Sequence, residues 1–460
     1  MFTVSPELAT LAKFLVAARY EDLPQPVVHE TERLIMDSIG CALSGITSDP
    51  GKMIIALAKR LGGPPESSII GVSGKISSSG AALANGQLIN TLDYDAVMAG
   101  GHAPPYVVPP PLAIAEYTGA SGKDLILATA LAVEVSARVG NAARGPVGGG
   151  FRWAPRAGYA NCNFGAAAGA GKLLNLDQDK MAHALGIAGY LCEVLPWVRF
   201  SFSQNRHMTK YGMPGWQNTG AIQAVLLAEM GYHGDTTLFD SPHSFAEFAG
   251  YEGWQPQKIT EGLGKMWAIA NTPYKPYASC GVLHNAIDCF SRIISQNNLK
   301  PEDIESVRTY LPQTTEAPCF TSRDLNNIVD VQFGVHNLLA MVAYGIRTGV
   351  DWYDWGTITD PKIVAFAEKV SLQVNPPIED KPSGTRVEVV AGGKTFREEQ
   401  ARARRGFGAE SQMTDAELVD KYRHNASRIL TQDKIDKSVA SLMGLEKVEN
   451  VRSLMAQVTM

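Results

Sequence analysis

Two aspartates, two tyrosines and a histidine fall within one short stretch, Asn90 to Pro110, which reads NTLDYDAVMAGGHAPPYVVPP. Asp93 and Asp95 are separated by one residue, and His102 follows the small residues Ala99, Gly100 and Gly101. An imidazole titrates near neutrality and a neighbouring carboxylate can orient or charge it, so these residue types suit proton transfer. They also suit a helix cap followed by an exposed histidine, because short polar clusters are common in loops. Two further stretches carry cations. Val198 to Pro214 is polar and basic, with Arg199, Arg206, His207 and Lys210. Lys275 stands between Pro273 and Pro276 in NTPYKPYASCGVLHNAI, which predicts an extended segment running into a helix.

These stretches need elements to hold them. Apolar residues recur at helical spacing from Pro6 to Gly45, with Pro24 and Pro26 dividing two helices, and helical patterns return over Lys52–Leu61 and Ser79–Asn90. The candidate loop follows directly, and the prolines from Pro104 to Pro111 predict that no helix forms immediately after it. Pro111–Tyr117, Asp124–Ala142, Phe164–Leu174, Met181–Leu191 and Thr219–Met230 continue the helical period, with small residues that allow close packing. The composition shifts near Gly264. A helix over Val282–Ile294 is followed by strand patterns at Ile304–Leu311, Val370–Val374 and Thr385–Val390, the last turning at Gly392-Gly393 into a hairpin. Helical spacing resumes in Thr414–His424 and Lys434–Met443. The expected fold is therefore mainly α: a large all-helical domain over 1–263 with an inserted smaller α+β lid domain over 264–404, and a return to the helical domain over 405–460.

A chain of 460 residues exceeds the usual single-core limit. Hydrophobic residues at 45% and charged residues at 19% describe a compact globular protein, and a net charge of −5 without a long basic run argues against a nucleic-acid partner. The longest apolar run, Leu125 to Val133, ends at Glu134, far short of the roughly 20 residues of a spanning helix, so no membrane partner is expected. The opening MFTVSPELATLAKFL carries Glu7 and no basic n-region, which argues against a signal peptide. Six cysteines without a CxxC pair suit buried thiols in a reducing cytoplasm, and nine histidines without HExxH give no metal site. GAAAGAGKLL fails as a phosphate loop because Leu173 follows Lys172. No GxSxG elbow supports a serine hydrolase.

The chain resembles the MmgE/PrpD family, which includes 2-methylcitrate dehydratases, cis-aconitate decarboxylases and an iminodisuccinate epimerase. The resemblance rests on LIMDSIGCALSG (Leu34 to Gly45), ANGQLINTLDYD (Ala84 to Asp95), GHAPPYVVPPPLAIAE (Gly101 to Glu116), GAGKLLNL with ALGIAG (Gly169 to Gly189) and KPYASCGVLH (Lys275 to His284). It covers essentially the whole chain and implies a helical domain interrupted by an α+β lid, a homodimer, and a cofactor-free site between the domains. Carried over by position, Asp93 and His102 fall on the family's active-site loop, Lys210 and Lys275 on its two active-site lysines, with Tyr277 and Cys280 beside the second and Gln332 further along. Cations in a partly desolvated cleft can hold a di- or tricarboxylate and stabilise a carbanion formed next to a carboxylate.

The chain departs from that pattern in one important place. Where dehydratases and decarboxylases of the family carry an active-site histidine, this sequence reads Ala154-Pro155-Arg156. A guanidinium can grip a substrate carboxylate but cannot readily exchange protons, so a general acid is lost there. A shift of register would bring Tyr159 or Asn161 into that slot instead. Ala96, Pro104-Pro105 and Gly334 are smaller changes around the same site. The resulting expectation is a cytoplasmic, homodimeric enzyme without a cofactor that acts on a small carboxylate. The favoured reading is a 2-methylcitrate-dehydratase-like lyase, with an epimerase or isomerase, a decarboxylase and a non-catalytic carboxylate-binding protein as alternatives. Asp93 and His102 would handle protons, Lys210 and Lys275 would bind and stabilise, and Arg156, Tyr277, Cys280 and Gln332 would contact substrate.

Overall fold

The computed structural model describes residues 3–98, 101–143, 159–193, 197–203, 206–251, 253–374, 384–400 and 412–460. It is mainly α. The helices of eight residues or more are α1 (Pro6–Ala17), α2 (Gln25–Gly45), α3 (Asp49–Leu61), α4 (Ser78–Asn90), α5 (Pro109–Thr118), α6 (Gly122–Ala142), α7 (Ala160–Leu173), α8 (Gln178–Tyr190), α9 (Pro214–Glu229), α10 (His284–Gln296), α11 (Val335–Ala343), α12 (Asp415–Ala426) and α13 (Gln432–Leu442). Their starts follow sequence signals. Ser48, Ser77, Ser121, Asp177, Thr414 and Thr431 each accept a backbone N–H from the first turn that follows, satisfying a donor the helix itself cannot.

The expectation for the prolines after His102 is corrected. A short helix over Pro104–Val107 and α5 from Pro109 both begin on proline, because the first turn of a helix has no use for the N–H that proline lacks and its φ suits that position. The long apolar helix α6 is 89% buried over its most hydrophobic window, as expected of a core helix.

Close helix packing sets the site. In α4 and α9 a side chain cannot fit at the crossing: a Cβ on Gly215 would lie 2.1 Å from the Leu83 carbonyl oxygen, and one on Gly86 would lie 2.2 Å from the Asn218 amide. The C-terminus of α4, which leads into Asp93, is thereby brought against the N-terminus of α9, which follows Lys210.

A two-stranded antiparallel pair, β1 (Ser67–Ser68) and β2 (Lys75–Ile76), precedes α4. The larger sheet holds β3 (Ile304–Leu311), β4 (Val370–Val374), β5 (Thr385–Ala391) and β6 (Lys394–Gln400) in the order β4-β3-β5-β6. Strand β3 runs parallel to β4 and antiparallel to β5, and β5 turns back into β6 through Gly392 and Gly393, both at positive φ. Burial alternates along β5, and α10 covers β5 and β6. After the sheet the chain returns to α2, against which α12 packs.

Candidate active site

The turn after α4 places Asp93 at φ 54, a left-handed conformation that aspartate tolerates better than most side chains. Its carboxylate is 1% exposed and collects three donors from two parts of the chain. Lys275 Nζ donates to Asp93 Oδ2 at 2.8 Å and to the Asp93 carbonyl at 2.7 Å. Lys210 Nζ lies 3.4 Å from Asp93 Oδ1 and also donates to the Asn90 carbonyl. Tyr211 donates its hydroxyl to Asp93 Oδ1 at 2.5 Å. Lys210 is itself at φ 47, a strained position for a long side chain.

Burial opposes the charge on Asp93, but Lys275, Lys210 and His102 outweigh it and hold the carboxyl well below its usual range. Asp93 is therefore a fixed counter-ion rather than a proton acceptor near neutrality. Burial lowers the pKa of Lys210, with Asp93 opposing that shift.

His102 also lies near Asp93 Oδ1. Its Nδ1 is 2.7 Å from Asp95 Oδ2 and its Nε2 is 3.8 Å from Asp93 Oδ1. Asp95 is fully buried, and although burial opposes its charge, His102 and Lys275 lower its pKa. Asn90 donates to Asp95 Oδ1 at 3.1 Å and to the Tyr211 hydroxyl at 3.0 Å, which joins both carboxylates in one network. The Tyr211 ring stacks on the imidazole at 5.0 Å between centroids and 25°. A carboxylate on one nitrogen fixes which nitrogen faces the cleft, the arrangement that a general acid or base needs.

Residues from later in the chain reach the loop at several points. Val97 N donates to the Pro273 carbonyl at 3.0 Å, and Gln332 Nε2 donates to the Thr91 carbonyl at 2.7 Å. Gln332 Oε1 is buried with no hydrogen-bond partner among the described residues. Cys280 is buried and donates its backbone N–H to the Gln332 carbonyl at 2.9 Å, so it holds Gln332 in place. Tyr277 turns elsewhere: its hydroxyl donates to Asp288 at 2.8 Å and its ring packs against His284 and Trp352.

Arg156 lies outside the described residues. Tyr159, the alternative occupant of its slot, has its ring against Gly101, where a Cβ would approach within 2.1 Å, and lies 6.2 Å from Tyr211. Arg206 is structural. Its guanidinium donates to the Asp330 and Ser322 carbonyls. Among the described residues no group of three or more His, Cys, Asp or Glu is arranged to hold a metal ion.

Sequence reasoning placed Asp95 in the candidate loop without giving it a role of its own, and did not single out Tyr211 or Asn90. Asp95 was visible as the second acid of the loop, and its spacing of seven residues from His102 is the signal for it. Tyr211 had no signal beyond its place next to Lys210.

Residues 9–257 match the family described as MmgE/PrpD N-terminal domain, and residues 277–444 match the MmgE/PrpD C-terminal domain. A cis-aconitate decarboxylase-like protein, oryM, of Aspergillus oryzae is 23% identical over 98% of this chain and 97% of its own length. A cis-aconitate decarboxylase of Aspergillus terreus is 22% identical over 95% of this chain and 92% of its own. The cis-aconitate decarboxylase of Homo sapiens is 23% identical over 93% and 89%. With both domains matched in order along most of its length, the chain belongs to the MmgE/PrpD family.

Proposed function

We propose that this protein is a lyase that acts on a small di- or tricarboxylate through a carbanion next to a carboxylate, and that the bond it breaks is to carbon dioxide. The observation that carries this reading is the convergence of two buried ammonium groups, Lys210 and Lys275, on the single carboxylate of Asp93, beside the Asp95–His102 pair. The two ammonium groups stand against the two carboxylates Asp93 and Asp95 in a water-poor site, where a fixed cation acts strongly on negative charge that develops beside it.

Decarboxylation asks for what the site holds. The bond to the departing carboxylate breaks, its electron pair moves into the conjugated system of the remaining carboxylate, and an ammonium stabilises the charge that develops there. His102, oriented by Asp95, returns a proton to carbon. Carbon dioxide leaves as a neutral molecule, so no second acid is required for a leaving group. Dehydration would require one to expel hydroxide; Arg156 stands where the dehydratases and the decarboxylases of the family alike carry a histidine, so it does not separate the two, and the choice rests on the neutral leaving group. The names of the relatives favour decarboxylation as well. In this reading Gln332 and Arg156 bind the substrate, no cofactor takes part, and residues 264–404 form a lid over the helical part, carrying Lys275 to Asp93. Family resemblance and the exposed Tyr190, Trp216 and Phe248 support a homodimer, and the free cysteines support a cytoplasmic setting.

Proton NMR in D2O with cis-aconitate, citrate, 2-methylcitrate and amino- or imino-dicarboxylates tests the reading. The expected result is a decarboxylated product carrying solvent deuterium, absent with Lys275→Ala. Exchange at a stereocentre without loss of carbon would move the assignment to an epimerase. Silence across the panel, with ligands that still raise Tm, would replace catalysis by carboxylate binding.

A further inference from the structure

Behind the site lies a third buried lysine. Lys421, on α12, is 5% exposed; its ammonium donates to the Tyr94 carbonyl at 2.8 Å and the Lys275 carbonyl at 3.2 Å and forms an ion pair with Asp37 Oδ1 at 2.7 Å. Its ammonium also lies 3.8 Å above the Tyr94 ring. Tyr94 sits between the two acids of the loop, and Lys275 is the lysine that holds Asp93, so a single nitrogen ties together the backbones of both segments that meet at the site. Burial pushes the Asp37 carboxyl up and opposes the charge of Lys421, but Asp37 and the other groups around Lys421 prevail and raise its pKa. The same two helices hold the neighbouring residue: Tyr274 donates to Glu30 Oε1 of α2 at 2.6 Å, and Arg33 of α2 lies over the Tyr274 ring at 5.2 Å while pairing with Asp415 of α12. A surface cavity lined by Lys421, Tyr94, Pro276, Arg347 and His424 opens on this reverse face and is not lined by Asp93, His102, Lys210 or Lys275.

We propose that Lys421, anchored by Asp37, is a positioning residue that sets the distance between the Asp93 loop and the Lys275 segment without touching substrate. The ammonium is held by two backbone carbonyls and the Asp37 carboxylate, all groups of the protein itself. A compact charge suits convergent carbonyls, whereas the planar fork of arginine does not.

This inference rests on the functional reading only for its kinetic arm. Removing Lys421 alone would strand the Asp37 carboxylate in the core, so the informative variant is Asp37→Asn/Lys421→Met, which removes both charges of the pair. Its kcat is expected to fall about 100-fold, the cost of a misplacement of about 1 Å, with KM within about threefold of wild type. Hydrogen exchange of peptides spanning 91–98 and 274–280 is expected to rise at least about tenfold, with the rest of the chain unchanged. Lys421→Arg keeps the charge facing Asp37 and is expected to show the same local loosening, so it decides the matter if the double variant does not fold. Wild-type kcat with unchanged exchange in both peptides would overturn the proposal, and so would faster exchange throughout the molecule, which marks a global stabiliser. If the wild-type protein turns over none of the carboxylates, the functional reading fails and the exchange measurement still decides the role of Lys421.

Discussion

Asp93 and Lys275 are 182 residues apart in the chain, yet the lysine ammonium grips both the carboxylate and the carbonyl of the same aspartate, at 2.8 and 2.7 Å. Neither side chain is exposed to water beyond 1%. The contact joins the loop after α4 to the segment before α10, and the pair acts as one unit of charge and position.

Replacing Lys275 by methionine should therefore cost twice. Loss of a cation aimed at developing negative charge lowers the rate by about 10² to 10³. Breaking a buried ion pair costs about 3 to 5 kcal/mol of stability, reduced here because Lys210 and Tyr211 still contact Asp93. Steady-state kinetics and chemical denaturation of the same variant check both figures. Loss of stability with unchanged kcat would show that Lys275 is only an anchor.

His102 and Asp95 should behave as a pair. His102→Gln removes proton transfer and should lower kcat by about 10² to 10⁴. Asp95→Asn leaves a carboxamide that no longer holds His102 Nδ1 as a proton donor, and should produce a loss of similar size. Because both act at one step, the double variant should be barely worse than either single one. Additive losses would mean that Asp95 serves some other purpose.

Much of this arrangement was legible in the sequence, and what was not has physical causes. Strand alternation marked β3 and β4 residue for residue, and Gly392-Gly393 marked the turn between β5 and β6. Pro273 and Pro276 marked Lys275 as sitting in an extended segment. The prolines after His102 misled because proline breaks a helix interior but starts a helix well. Lys421 was invisible: within α12 its spacing matches that of a solvated cation, and only the packing of α12 on α2, which joins chain segments far apart, buries it. Tyr211 was invisible for the same reason, since its partners come from the α4 turn.

Tyr211→Phe tests a subtler contact. It removes the hydrogen bond to the charged Asp93 and the one accepted from Asn90 while keeping the ring stacked on His102. A loss of about 1.5 to 3 kcal/mol in stability is expected. Activity should fall by roughly tenfold rather than disappear, because both lysines still hold Asp93, at about 1.4 kcal/mol per factor of ten. A larger kinetic loss with unchanged stability would make the hydroxyl a participant in proton transfer.

The acid response of Asp93 follows from the direction of its shift. Its folded pKa is depressed, so the stability it contributes is complete above the unfolded value of about 3.9 and is lost as pH falls through the folded value. The stability gap between wild type and Asp93→Asn should therefore be constant from about pH 8 to pH 5 and close only in stronger acid, below about pH 4. Urea midpoints across that range measure it. A gap that closed near neutrality would mean that Asp93 takes up protons there and acts as a base.

The last test links fold to chemistry at a residue that touches no charged group. A Cβ on Gly215 would meet the Leu83 carbonyl oxygen at 2.1 Å, and that oxygen belongs to helix backbone that cannot rotate away. Gly215→Ala must therefore push α9 from α4, at a cost of about 1 to 3 kcal/mol for overpacking. Lys210 precedes α9 and Asp93 follows α4, so the displacement lengthens a contact that is already 3.4 Å. The expected outcome is a folded protein with a lower Tm and a kcat reduced by at least about tenfold, since small displacements of a positioned charge cost rate steeply. Thr219→Ala, one turn further along α9, is the control: it removes a methyl group and a hydroxyl bonded to the Gly215 carbonyl at 3.2 Å, adds no atom at the crossing, and should leave kcat near wild type. If Gly215→Ala keeps full activity, the spacing of the two helices does not set the site.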